Sequence, residues 1–284
     1  MTALRRPSRR IALFLVVATL TWCAGCGGNS DNKPRATNSG GATSNGQGAT
    51  QIPSQILLAS SFEQPICGTY QHPGPGCEFG FEGDDLKTGS FNCRTGPNCL
   101  QLGRLAQKHM GVIRVVPLPD GHAFIGVAHR VPELAPGVIP EVPGYLEIMQ
   151  MSPTDGTTQR PGYPVEVRLH SDRRLGLALF QGPDEVLTEH PVPVDEWFYT
   201  LVEVTNGVNA TQRLWVYGAD DKLIDSVEIP LDTAQENVHA ARMAQKVGGV
   251  TSTTRQFYTY EDDWYIATTN GGPLHIDTAG QPVH

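Results

Sequence analysis

Basic residues are scarce in this chain of 284 residues: 21 Lys and Arg face 29 Asp and Glu, a formal charge of −8 at pH 7. Arg5, Arg6, Arg9 and Arg10 fall in a leader expected to be removed, which leaves 17 against 29, or −12. That balance argues against phosphate-driven nucleic-acid binding, and no nucleic-acid partner is expected. Long apolar runs are missing too, because Ile11 to Leu20 is too short to cross a membrane as a helix. The common catalytic signatures are absent: there is no Gly-x-Ser-x-Gly, no His-Glu-x-x-His, no phosphate-binding Gly-rich loop, and the nine histidines lack metal-ligand spacing. Serine hydrolase, zinc protease and nucleotide-binding chemistry therefore lose their usual support.

With 39% hydrophobic residues, enough apolar mass is present for one sizeable core, and 31 Gly with 22 Pro stay below the level that signals disorder. The organisation expected is a leader over residues 1–25, a linker over 26–52 and a folded domain over 53–284. A basic start, an apolar run and Trp22-Cys23-Ala24-Gly25-Cys26 have the layout of a secretory signal. Small residues directly before a cysteine resemble the lipobox of bacterial lipoproteins. The resemblance implies cleavage before Cys26, a lipidated Cys26, and a membrane-anchored address in the bacterial cell envelope, at the outer membrane if the source is Gram-negative. Cys23 stands where that family usually has Leu. Gly27 to Gln51 holds no large apolar residue, so it cannot offset the entropy of ordering and reads as a flexible tether.

The rest reads as all-β. Apolar and polar residues alternate in Val165-Glu166-Val167-Arg168-Leu169-His170 and in Gln212-Arg213-Leu214-Trp215-Val216-Tyr217, the pattern of half-buried antiparallel strands. Further β-branched and aromatic runs at 111–116, 122–130, 144–151, 174–180, 197–204, 223–229 and 256–268 are bounded by turn residues. Short strands so spaced predict an antiparallel two-sheet sandwich. At most one short helix is expected, from a capping-box pattern at Thr233 and Glu236 through Ala-rich sequence to Gly248-Gly249.

Beyond Cys23 and Cys26, four cysteines remain: Cys67, Cys77, Cys93 and Cys99. An even count in an exported chain suggests disulfides, with three connectivities. Turn residues between Cys93 and Cys99 favour that local bridge and leave Cys67 to Cys77. The rival reading, a four-thiolate zinc site, has no Cys-x-x-Cys pair to stand on.

The domain opens with Ser61-Phe62-Glu63, carries Trp197 at the head of a middle strand followed by a hairpin ending in Gly218, and closes with Glu261-Asp262-Asp263 before an aliphatic strand. In these features it resembles concanavalin A-like, laminin-G-type jelly rolls, which implies two packed sheets that present carbohydrate on a concave face or at the loop rim. Glucanases of that superfamily carry Glu-x-Asp-x-x-Glu, since retaining hydrolysis needs paired carboxyl groups. Here Glu82-Gly83-Asp84 meets Lys87 and Glu261-Asp262-Asp263 meets Ile266 at the place of the second Glu. Alginate-lyase-like members carry Gln-Ile/Val-His, and the nearest match is Gln150-Met151-Ser152, so half of the acid-base pair is missing. No catalytic residue is assigned. If they share one face, Arg130, Gln150, Arg168, His170, Tyr258 and Tyr260 would bind an acidic glycan; the alternative is that they are solvated outer residues of ordinary strands. His129 and Arg130 are adjacent and cannot both point inward. Glu63, Asp262 and Asp263 form a candidate structural Ca²⁺ site, against the alternative of a charged edge that blunts strand pairing. Trp197, Trp215 and Trp264 are expected in the core.

The resulting expectation is a carbohydrate-binding, non-catalytic envelope lipoprotein, with an atypical polysaccharide lyase or a structural envelope protein as alternatives. Replacing Cys26 by Ser should abolish acyl labelling and release the protein from membranes; a Cys26→Ser variant that still takes up labelled acyl chains rejects the anchor.

Overall fold

The alternating runs fold as strands because their apolar members can all face one side, and a pleated strand turns successive side chains to opposite faces. The computed structural model describes residues 55–69, 72–73, 77, 79–82, 86–104, 111–117, 122–139, 144–154, 165–179, 184–205, 210–230, 240–244 and 257–283. The leader over 1–25, Cys26 and the tether over 26–52 lie outside them.

In chain order the first strands are β1 (Ile56–Ser60), β2 (Gly68–Thr69), β3 (His72–Pro73), β4 (Gly80–Glu82), β5 (Leu86–Gly89), β6 (Cys99–Arg104), β7 (Gly111–Pro117), β8 (His122–Arg130) and β9 (Leu146–Thr154). They are followed by β10 (Val165–Leu169), β11 (Leu175–Leu179), β12 (Glu185–Leu187), β13 (Trp197–Thr205), β14 (Thr211–Tyr217), β15 (Leu223–Pro230), β16 (Ala240–Ala244), β17 (Phe257–Ala267), β18 (His275–Ile276) and β19 (Pro282–Val283). An eight-stranded sheet runs β15-β14-β13-β8-β17-β6-β5, with β1 also on β17, and a seven-stranded sheet runs β12-β11-β10-β9-β16-β7-β4. Every pairing within the two sheets is antiparallel.

The strand expected of each alternating or β-branched run is present. The helix expected between Thr233 and Gly249 is corrected in its middle: Ala240–Ala244 is β16, paired with β7 on one side and β9 on the other. Its Ala-Ala-Arg-Met-Ala sequence favours a helix locally, but two ladders of sheet hydrogen bonds override a propensity worth tenths of a kcal/mol per residue. Residues 231–239 and 245–256 lie outside the described residues.

Between the sheets sits the main core. Ile125 and Val127 of β8, Leu146 and Ile148 of β9, Val165, Val167 and Leu169 of β10, and Val202 and Val204 of β13 all contribute to it. Three rings pack together in it, with Phe79 stacked on Trp264 at 4.8 Å between centroids and tilted against Phe62 at 5.6 Å. Burying such a side chain is worth roughly 1.5–3 kcal/mol. Phe62 needs that return, since its backbone is left-handed at φ 59° and its N–H is satisfied by the Ser60 hydroxyl at 3.0 Å.

A second, smaller cluster lies on the outer face of the eight-stranded sheet. Leu274 and Ile276 fold over Phe124, Tyr199, Leu201 and Tyr265, so the C-terminal hairpin of β18 and β19 covers part of that sheet. Only Trp264 of the three expected core tryptophans is in the main core; Trp197 and Trp215 are half-buried against this second cluster. Their odd-numbered positions share the outward face with Tyr199, because they lie on β13 and β14 with the opposite parity from Phe198 and Leu214.

The acidic pair is not at a sheet edge. Strand β17 is internal, with β8 along one side; along the other, β6 pairs Phe257 to Glu261 and β1 pairs Trp264 to Ala267. Asp262 and Asp263 occupy the handover between β6 and β1, where the register to β8 shifts. Asp263 is left-handed, at φ 48°, the geometry of a bulge that lets Glu261 and Trp264 both face inward. The 93–99 loop fills this gap and is closed by the Cys93–Cys99 disulfide, Cα atoms 5.4 Å apart, while Cys67 joins Cys77 at the same separation.

Arg94 lies at the centre of the gap. Its Nη1 donates to Asp263 Oδ2 at 2.6 Å and to the Leu274 carbonyl at 2.8 Å, its Nη2 donates to Asp221, and the guanidinium lies 5.1 Å from the Tyr199 ring centroid. Removing one partner of a buried ion pair leaves the other charge uncompensated, at about 3–5 kcal/mol. Arg94→Met should therefore lower the unfolding free energy by about that amount in urea titration, with the far-ultraviolet spectrum still that of a β protein.

Candidate functional site

The outer face of the seven-stranded sheet is polar where it would ordinarily be solvated. Val165, Val167 and Leu169 of β10 face the core, which turns Glu166 and Arg168 outward, and the same period continues to His170 just past the strand. A register shift between β9 and β10 places Gln150 opposite Glu166 and Glu147 opposite Arg168. Gln150 Nε2 donates to Glu166 Oε1 at 2.9 Å, and Arg168 grips Glu166 Oε2 through Nε and Nη2, both at 2.9 Å. The Arg168 guanidinium also lies 4.2 Å from the Tyr145 ring centroid.

Glu185 of β12 reaches across the sheet to His170, whose Nε2 lies 2.7 Å from its Oε1, and it stands 3.6 Å from Arg168. Gly176 makes that crossing feasible, because a Cβ there would collide with the Glu185 carboxylate. The result has two tiers: Gln150, Glu166 and Arg168 are buried and fixed, while Tyr145, His170 and Glu185 are half-buried above them. Burial, then the Glu166 charge, raises the Tyr145 phenol against the pull of Arg168, so it remains a hydrogen-bond donor at neutral pH. Among the described side chains of this cluster, Glu147, Glu166 and Glu185 stand against the one guanidinium of Arg168.

The six expected ligand-binding residues do not form one site. Gln150, Arg168 and His170 are brought together here, but Arg130, Tyr258 and Tyr260 project from the outer face of the opposite sheet, where Tyr260 is registered against Arg130. Strands β8 and β17 belong to one sheet and β9 and β10 to the other, so outward residues on the two pairs point away from each other. His129 turns inward, as its parity requires, with Nε2 2.8 Å from the Thr200 hydroxyl and Nδ1 3.6 Å from Glu261.

Glu63, Asp262 and Asp263 do converge on the 93–99 loop, yet their oxygens face N–H donors. Glu63 accepts from the Asn98 backbone and side chain at 3.0 and 2.5 Å. Asp262 accepts from the backbone N–H groups of Arg94, Thr95 and Asp263, each at 2.9 Å. Asp263 takes Arg94, the Thr95 hydroxyl at 2.8 Å and the Ile276 N–H at 2.8 Å. So arranged, the set does not fit a Ca²⁺ shell, which needs oxygens free to converge on one point. The Cys93 and Cys99 sulfurs lie within 4.8 Å of an Asp262 oxygen, but they are bonded to each other and are not thiolate ligands.

No family model matches the chain, and no curated protein matches it either. Among solved structures, it is similar to a marine alginate lyase from Aplysia kurodai: 10% identical, TM-score 0.55, covering 76% of this chain and 100% of that one. The fold is a jelly roll. Further matches are an endo-β-1,4-glucuronan lyase from the fungus Trichoderma reesei, at 11% identity and TM-score 0.47 over 79% of this chain and 100% of that one, and the botulinum neurotoxin serotype G binding domain, at 12% identity and TM-score 0.47 over 76% of this chain and 48% of that one. The chain thus spans about half the length of the neurotoxin binding domains it matches. At these identities the likeness concerns the jelly-roll fold alone.

Within this jelly roll, Tyr145, Glu147, Glu166, Glu185 and Arg94 were not singled out from the sequence. Glu166 had a usable signal, sharing the period of two with Arg168 and His170. Tyr145, Glu185 and Arg94 lie just before a strand, on a three-residue strand and in a loop, and only tertiary contact gives them a place.

The carboxylate pair in the gap sets a pH dependence. Burial, then the charge of Asp263, pushes the Asp262 carboxyl up to about 8 despite its backbone donors, and burial raises Asp263 as well, with Arg94 opposing. Stabilisation by protonated Asp262 is complete below the unfolded pKa of about 3.9. It is lost as pH rises through about 8, because the unfolded chain releases a proton that the folded one retains. The urea midpoint should therefore fall from about pH 5 to about pH 9, and Asp262→Asn should flatten most of that slope.

Proposed function

We propose that this protein is an envelope lipoprotein, anchored through Cys26, whose jelly roll binds glycan without cleaving it. The observation that carries the reading is the two-tiered face on the seven-stranded sheet, where Tyr145, His170 and Glu185 offer a phenol, an imidazole and a carboxylate over a fixed base of Arg168, Glu166 and Gln150. Polar groups held by a second tier are already oriented, which lowers the entropy lost when a hydroxyl-rich ligand docks. The excess of carboxylates in this cluster favours an uncharged glycan over a uronate at these residues.

Catalysis has weaker support. Gln150 lies on β9, the middle strand of the seven, but Ser152 stands in the place of the histidine of the lyase pattern. His170 is engaged by Glu185, and Tyr145 is held protonated. One feature favours the lyase alternative: the Tyr145 and His170 rings are neighbours, at 6.4 Å between centroids, so an acid and a base candidate stand together.

A panel of neutral and acidic polysaccharides, read for binding and for unsaturated products by ultraviolet absorbance, separates the two readings. Binding of a neutral glycan with no unsaturated product is expected. Tyr145→Phe and His170→Ala should each weaken it about three- to ten-fold, the worth of one hydrogen bond. Unsaturated product that disappears in either variant would make the protein a lyase.

A further inference from the structure

The outer face of the other sheet carries a row of side chains that the glycan reading above does not use. Register places Lys87 of β5 opposite Gln101 of β6, Gln101 opposite Tyr260 of β17, Tyr260 opposite Arg130 of β8, and Arg130 opposite Trp197 of β13. Residues directly opposite in antiparallel strands share a face, so all five line up across five neighbouring strands. At about 4.8 Å per strand the row is roughly 19 Å long.

Its middle is aromatic and cationic. The Arg130 guanidinium lies 4.3 Å from the Tyr260 ring centroid and 5.6 Å from that of Trp197. Phe91 extends the shelf, 5.8 Å from Tyr260, with the Lys87 ammonium 5.8 Å from its ring. Arg130 Nη2 donates to the Phe91 carbonyl and Trp197 Nε1 to that of Asn92, at 3.0 Å, so the loop after β5 is tied to the row. Asp195 lies 3.9 Å from Arg130 Nη1, and its side chain is 62% exposed. A pair that long and that exposed is weak and easily exchanged.

Two polar atoms in the row lack a partner. Gln101 and Arg130 are 7% and 9% exposed, and Gln101 Oε1 and Arg130 Nε are buried without a hydrogen bond, although Gln101 Nε2 donates to the Tyr260 hydroxyl at 3.3 Å. A bare acceptor and a bare donor behind half-buried rings are unfavourable by themselves. They suit a ligand that brings a hydroxyl to one and an anionic oxygen to the other.

We propose that this row is a second binding site, for an anionic sugar chain laid across the strands. Tyr260 and Trp197 give sugar rings an apolar surface, Gln101 Oε1 accepts a sugar hydroxyl, and Arg130 Nε–H donates to a carboxylate or sulfate oxygen. Lys87, about three strand spacings from Arg130 or roughly 14 Å, meets a second charged unit, so a polymer charged along its length fits better than a single acidic sugar. In a chain of net charge −8, this row carries two cations, Lys87 and Arg130.

The test is a titration of the full chain with polygalacturonate, dextran sulfate and neutral dextran, read by Trp197 fluorescence, with Trp197→Phe identifying that signal. Either anionic polymer should shift the signal and dextran should not; the two arms tell carboxylate from sulfate ester. Lys87→Ala, at an exposed position, should weaken binding several-fold and reduce its salt dependence, and Gln101→Leu should weaken it without changing the salt dependence. Tyr145→Phe, on the opposite sheet, should leave it unchanged, so this site and the first can fail separately. A Trp197 signal indifferent to both anionic polymers, an equal Trp197 signal with dextran, or Lys87→Ala and Gln101→Leu variants that bind the anionic polymers like the unaltered chain would each overturn the proposal.

Discussion

The eight-stranded sheet depends on how one internal strand, β17, changes neighbours half-way along. Where β6 ends and β1 begins, the sheet has no strand to offer, and the backbone of the 93–99 loop must be satisfied some other way. Carboxylates stand in for strand carbonyls: Asp262 takes the N–H groups of Arg94 and Thr95, and Glu63 takes that of Asn98. Asp262 and Asp263 would repel each other as anions; burial keeps Asp262 protonated below about pH 8, and Arg94 supplies the compensating charge for Asp263. The same guanidinium bonds the Leu274 carbonyl, while His275 Nε2 meets Asp221 at 3.0 Å, so the C-terminal hairpin and the turn before β15 are held by one network. The Phe62, Phe79 and Trp264 cluster packs directly behind the bulge, which ties the core to the same point.

The clusters on the two outer faces differ because each follows from a different local device. On the seven-stranded sheet, a register shift between β9 and β10 keeps Gln150 and Glu147 on the face of Glu166 and Arg168, and Gly176 opens room for Glu185 to cross. Acids gather round one arginine. On the eight-stranded sheet, unshifted pairing of β8 with β13 lines Arg130 up with Trp197, and the loop after β5 supplies Phe91 instead of a carboxylate. One jelly roll thereby offers two different clusters on opposite sides, with the core between them.

The period of two in residues 165–170 and 212–217 was enough to place strands and to turn Arg168 and His170 to one face, because parity is a local property of the backbone; it showed that His129 and Arg130 point to opposite faces but not which of them is inward. The short Cys93 to Cys99 loop with its turn residues likewise anticipated both bridges found. Periodicity was a poor guide at Ala240–Ala244, where helix formers became an inner strand, and at Trp197 and Trp215, where an apolar strand put its tryptophans outward. In each instance the deciding partner lay far away in the chain.

From its own residues, then, the chain determined which segments are strands, how side chains alternate along each one, and that its cysteines would close short loops; all three rest on contacts between near neighbours. Tertiary structure alone decided which strands share a sheet. That assignment separated Arg130, Tyr258 and Tyr260 from Gln150, Arg168 and His170, brought Tyr145 and Glu185 into one cluster, and gave the Asp262 and Asp263 carboxylates an arginine from a loop nearly 170 positions earlier. The physical reason is that alternation specifies a face relative to its own strand, whereas sheet membership is set by non-local pairing and the burial it achieves.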